Sequence, residues 1–112
     1  MGRSGSPAAY KTVMAMKDHG WLLAVAACVE LADEFGPRAE LAGSWIFKRA
    51  SQKRPRLWLP SLQPLVRHGL LARVRTARGR SRVYYRVTDL NGSRRALLDR
   101  GIPLTVRTAA VG

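Results

Sequence analysis

Residues 61–74 read Ser61-Leu62-Gln63-Pro64-Leu65-Val66-Arg67-His68-Gly69-Leu70-Leu71-Ala72-Arg73-Val74, and residues 80–89 read Arg80-Ser81-Arg82-Val83-Tyr84-Tyr85-Arg86-Val87-Thr88-Asp89. With Ser61 as N-cap, Pro64 falls in the first turn of a helix over 62–68, where its missing N–H costs nothing. That helix sets Leu62, Leu65 and Val66 on one side and Gln63, Pro64 and Arg67 on the other, and Gly69 ends it as a left-handed cap. From Leu70 to Thr76, Ala72 and Val74 alternate with Arg73 and Arg75, the pattern of a half-buried strand. Arg82 to Thr88 alternates again, with Val83, Tyr85 and Val87 inward and Arg82, Tyr84 and Arg86 outward. A turn around Gly79 joins the two, which predicts a short helix followed by a β-hairpin.

Working outward, Ser6-Pro7 opens a helix over 7–17, with 1–6 expected to be disordered. A second helix runs from Asp18 or Gly20 to Phe35. Its residues Trp21, Val25, Cys28, Ala32 and Phe35 form one apolar stripe, with Glu30, Asp33 and Glu34 opposite. The pattern over 38–49 predicts a third helix with Leu41, Trp45 and Ile46 inward, then a basic loop over 51–56. Core packing is the expectation for Trp45 and Trp58. Asp89 to Arg100 is predicted helical, capped by Gly101, with Asn91-Gly92 allowing a start as late as Ser93, and 102–106 has the character of an edge strand. The expected class is mainly α with a small β-hairpin: one domain over 7–100 and a C-terminal tail over 101–112.

The chain has 112 residues and a net charge of +13. Its location decides what the charge means. Residues 1–40 sum to −1 and residues 89–112 to +2, whereas residues 41–88 carry twelve Lys or Arg and no acid. A merely soluble surface intersperses both signs. A single-sign segment set among apolar positions reads as a polyanion-binding surface.

The order of elements, with the 61–74 and 80–89 segments at this separation, resembles the winged helix-turn-helix transcriptional regulators of the MarR, PadR and ArsR type. The resemblance covers residues 38–100 and rests on a helix ending in L-x-x-x-G-L-L-x-R and on a strand running into Thr88-Asp89. Two features depart from the family pattern: a long basic turn over 52–59, and the prolines Pro60 and Pro64. The resemblance implies a recognition helix in the major groove and a hairpin wing on the minor groove or backbone.

The residue chemistry agrees. Gln63 and Arg67 lie on the polar side of the helix, and these side chains pair with adenine and guanine edges. Arg78, Arg80 and Arg82 flank the Gly79 turn, as a wing tip against phosphate or in a narrow minor groove requires. Lys48, Arg49, Lys53, Arg54 and Arg56 precede the helix, where register-fixing phosphate contacts arise. Ser61, Arg75 and the outward Tyr84 complete the expected contact set.

The expected function is thus sequence-specific binding of double-stranded DNA, as a transcriptional regulator. The alternative is an architectural, nucleoid-associated or RNA-binding winged-helix protein. No nucleophile–base pair, carboxylate pair, phosphate loop or metal cluster stands in the sequence, so neither an enzyme nor a cofactor is expected. His19 and His68 are isolated. The longest apolar run, Trp21 to Val29, is too short to cross a membrane, and 1–7 lacks the features of a secretory signal. With Cys28 as the only cysteine, a reducing cytoplasm is expected, that of a bacterium or phage host on the resemblance. One winged helix contacts few base pairs, so a homodimer through the near-neutral N-terminal helices is expected as well.

Overall fold

The computed structural model describes residues 8–74 and 83–105. Five helices and three strands follow in the order α1 (Ala8–Ala15), α2 (His19–Phe35), β1 (Leu41–Ala42), α3 (Gly43–Lys53), α4 (Gln63–Arg67), β2 (Leu71–Val74), β3 (Tyr84–Val87) and α5 (Leu90–Asp99). The strands form one antiparallel sheet in the order β1-β3-β2. The class is mixed α+β. The expected Ser6-Pro7 helix start, the 1–6 arm and the Gly79 turn fall outside the described residues.

Helix α2 is the centre of the core. Asp18 caps it, its carboxylate accepting from the Gly20 N–H at 2.8 Å. Every residue from Leu22 to Ala32 is buried, which a single apolar stripe does not require. The cause is that α2 packs on α3, α5 and the sheet at once. Burial pushes the Cys28 thiol up to about 12, so it sits there as an inert apolar group. Phe35, expected on the core stripe, is 57% exposed instead, at the last position of α2 before Gly36 ends it.

Two helix ends are built alike. At α4, Gly69 takes a φ of +78°. Its N–H donates to the Val66 carbonyl at 3.0 Å, and the Leu70 N–H to the Leu65 carbonyl at 2.9 Å, with Leu65 and Leu70 both buried. At α5, Gly101 takes a φ of +76°, and the Ile102 N–H reaches the Leu97 carbonyl at 2.9 Å. Leu97 and Ile102 are both buried there. This apolar clasp explains why 102–105 forms no strand: Ile102 is spent closing α5 into the core. At the start of α4 the N-cap is Leu62 rather than Ser61. The Ser61 hydroxyl still accepts from the Gln63 N–H, at 3.2 Å.

The region before α3 differs from the expectation of a helix from 38. Leu41 and Ala42 pair with Tyr85 and Tyr84, adding a third strand, and the helix starts at Gly43. A Cβ on Gly43 would lie 3.3 Å from the Tyr85 ring, so a residue without one suits the point where chain and ring meet. Trp45 is consequently displaced from the core side and is 43% exposed, its ring 5.4 Å from that of Phe35.

In the hairpin, Leu71 pairs with Val87 and Arg73 with Tyr85, so these share one face, while Ala72, Val74, Arg86 and Tyr84 share the other. The inward phase of β3 is as expected. That of β2 is shifted by one residue, because Leu71 and not Ala72 meets buried Val87.

Helix α1 packs on α5. Val13 is buried, Tyr10 donates to the Asp99 carboxylate at 2.5 Å, and Arg100 donates to the carbonyls of Val13 and Met14 at 3.1 and 3.3 Å and to that of Met16. The hydrogen bond to Asp99 holds the Tyr10 phenol above its usual pKa. Among the described residues no helix is long and apolar enough to cross a membrane.

Candidate nucleic-acid interface

Two of the predicted contact residues, Arg49 and Lys53, are held in ion pairs. Glu30 and Glu34 lie one turn apart on α2, and Arg49 and Lys53 one turn apart on α3. The helices face each other, so the pairs interlock. Arg49 reaches Glu30 at 3.2 Å and Glu34 at 2.5 Å, and Lys53 pairs with the other Glu30 oxygen. That oxygen also accepts from the Thr105 N–H at 2.7 Å. Glu30, expected on the solvent side, is thus only 1% exposed, a buried carboxylate held by two cations and an amide. Burial works against the Arg49 charge, but the hydrogen bonds to Glu34 and Glu30 outweigh it and raise its pKa. The signal was present in the sequence, as two acids and two bases each four apart on consecutive helices.

The remaining cations behave differently. Lys48, Arg54, Arg56, Arg67, Arg73 and Arg86 are all exposed, and among the described residues none of them forms an ion pair. Six charges are therefore uncompensated within one acid-free segment of chain. Helix α4 presents Gln63 and Arg67 to solvent, one turn apart, with Leu65 beneath them in the core. The Schellman-type end at Gly69 fixes that short helix against β2, and the Thr88 hydroxyl ties the corner to the end of β3 through the Gly69 carbonyl at 2.5 Å.

On the hairpin, Arg73 and Arg86 leave from opposite faces of the ribbon. Neither was singled out from the sequence, although the alternation of each strand marked both as outward candidates or neighbours of them. Tyr84 is half-buried on the face of Val74 and Arg86. Arg75, Arg78, Arg80 and Arg82 lie outside the described residues.

The loop between α3 and α4 carries Arg54, Arg56 and Trp58 in the open. Trp58 is 77% exposed, against the expectation of core packing, because Leu57 and Leu59 on either side of it pack inward instead. Arg56 is the only described non-glycine with a left-handed backbone, at a φ of +69°.

The acids outside the α2–α3 cluster are mostly engaged elsewhere. Asp18 and Asp89 cap helices, Asp99 accepts from Tyr10, and Asp33 pairs with Arg94. Among the described residues no group of three His, Cys, Asp or Glu is placed to hold a metal ion. No protein-family model matches the chain, and no curated protein or solved structure matches it significantly.

Proposed function

We propose that the chain is a winged helix-turn-helix protein that binds double-stranded DNA and acts as a transcriptional regulator. The observation that carries this reading is the set of six exposed cations, without an ion pair among the described residues, along the acid-free segment that holds α3, α4 and the hairpin. The mixed α+β order, with helices α2 to α4 before the β2–β3 hairpin, supports the reading. In this reading α4 offers Gln63 and Arg67 to base edges. Arg54 and Arg56 hold phosphates before it. The ribbon, with arginines on both faces, suits a groove that has phosphates on both walls.

Selection of bound sequences from a random duplex pool tests this reading. A recurring sequence is the expected result. Arg67→Ala is then expected to relax preference at one position and weaken binding by about 1–3 kcal/mol. A loss spread evenly over all sequences contradicts the assignment of α4 as the reading helix.

A second reading has its own support. Helix α4 has only five residues, so it brings few side chains to base edges. That favours an architectural or RNA-binding protein that reads backbone and shape. A pool that yields no winner, with RNA competing as well as DNA, decides for it.

The proposal includes a homodimer formed at the α1–α5 end. Met14 and Leu98 are exposed there, at 40% and 55%. Because Val13 and the Arg100 bonds make α1 part of its own core, deleting it damages the fold, and Met14→Lys/Leu98→Lys is the cleaner probe. Sedimentation is expected to show a dimer that this variant converts to monomers. A 12.4 kDa species at all concentrations for the unmodified chain rules the dimer out.

A further inference from the structure

We propose that Trp58 is a stacking platform for a single unpaired base, with Arg54 and Arg56 holding the phosphates on either side of it. This rests on the reading that the basic segment binds nucleic acid, and it adds a preference: a duplex carrying an unstacked base is bound better than a fully paired one.

Three observations converge on the indole. It is 77% exposed although it lies between two leucines that pack inward, so the chain turns outward a ring that its neighbours show how to bury. Its loop is held in shape before any ligand arrives. The Leu57 N–H closes a turn on the Arg54 carbonyl at 3.0 Å, Arg56 occupies the left-handed region, and Pro55 and Pro60 bracket the segment. A base meeting this ring therefore does not have to order the loop that carries it.

The surroundings are cationic. Arg54 and Arg56 line the same recess as Trp58, and neither forms an ion pair among the described residues. The one acid in that recess, Asp18, has its carboxylate on the Gly20 N–H. An exposed aromatic face beside guanidinium groups complements a base flanked by phosphates, and stacking of this kind is indifferent to which base is presented. Trp45, the other exposed indole, lacks this character: its ring is already covered by Phe35.

The test uses Trp21→Phe/Trp45→Phe, which leaves Trp58 as the sole tryptophan, and two DNA duplexes that differ only by a one-nucleotide bulge. Trp58 fluorescence is expected to be quenched on binding the bulged duplex, which binds about tenfold tighter than the paired one. Trp58→Ala is expected to abolish that preference and leave paired-duplex affinity within about twofold, whereas Trp58→Phe keeps much of it. Equal affinity for the two duplexes, or fluorescence that does not respond, overturns the stacking role and leaves duplex binding standing. Failure to bind either duplex overturns the nucleic-acid reading itself.

Discussion

The double variant Arg49→Met/Lys53→Met is expected to lose about 3–5 kcal/mol of folding stability at neutral pH, a large share of what a domain of this size possesses. Both cations lie on one face of α3, and both end on Glu30. Without them a carboxylate that is 1% exposed keeps, among the described residues, the Thr105 N–H as its partner. Neither methionine supplies the missing charge, and the carboxylate stays at the buried side of the α2–α3 contact. Adding Glu30→Leu to the same background is expected to restore most of the stability, because a buried ion replaced together with its partners by apolar side chains is often neutral, and Glu34, 18% exposed, keeps contact with water. Urea denaturation of the three proteins checks this. A loss under about 1 kcal/mol in the double variant, or no recovery in the triple, contradicts the buried-cluster description.

The triple variant Arg54→Ala/Arg56→Ala/Arg67→Ala is expected to weaken duplex binding by roughly 500-fold at about 0.1 M monovalent salt. Arg54 and Arg56, as phosphate contacts, each add about 0.9 to the log–log salt slope and hence about 0.9 log units of affinity at that salt, and the base contact of Arg67 adds the lower part of its about 1–3 kcal/mol. All three side chains are exposed, so folding stability should change by no more than about 0.5 kcal/mol. The control removes the same charge elsewhere. Lys11→Ala/Arg38→Ala/Arg95→Ala takes three exposed cations from outside the 41–88 segment and is expected to cost less than about tenfold. Equal losses in the two triples show that net charge, rather than a particular face, does the binding.

Much of the fold was legible wherever a local rule acts alone. The glycines after α4 and α5 were readable because a left-handed cap depends on its own few residues. Strand β1 was not, since two residues are too few to display an alternation and its pairing with β3 spans more than forty positions. The phase of β2 was ambiguous because Leu70 and Leu71 are both apolar, and only the partner Val87 decides between them. Trp45 and Trp58 were misplaced by one assumption, that large rings go inside. At Trp45 the late start of α3 turned the ring out, and at Trp58 the flanking leucines took the inward positions.

The candidate interface was read too broadly in one place and too narrowly in another. Arg49 and Lys53 belong to the α2–α3 cluster, a pairing visible only once two acidic and two basic positions are matched across helices. Arg73 and Arg86 join the exposed set, since neither forms an ion pair among the described residues.

The claim that the uncompensated cations form a duplex-binding face is tested most directly by the affinity for a random duplex measured across a range of salt concentrations. Removing Arg49 and Lys53 from the twelve leaves ten basic residues in the segment, and about half of them reaching phosphates gives a log–log slope of about −5. A slope shallower than about −2 contradicts the claim, because fewer than three phosphates would then be neutralised and the exposed arginines would have to be facing something else.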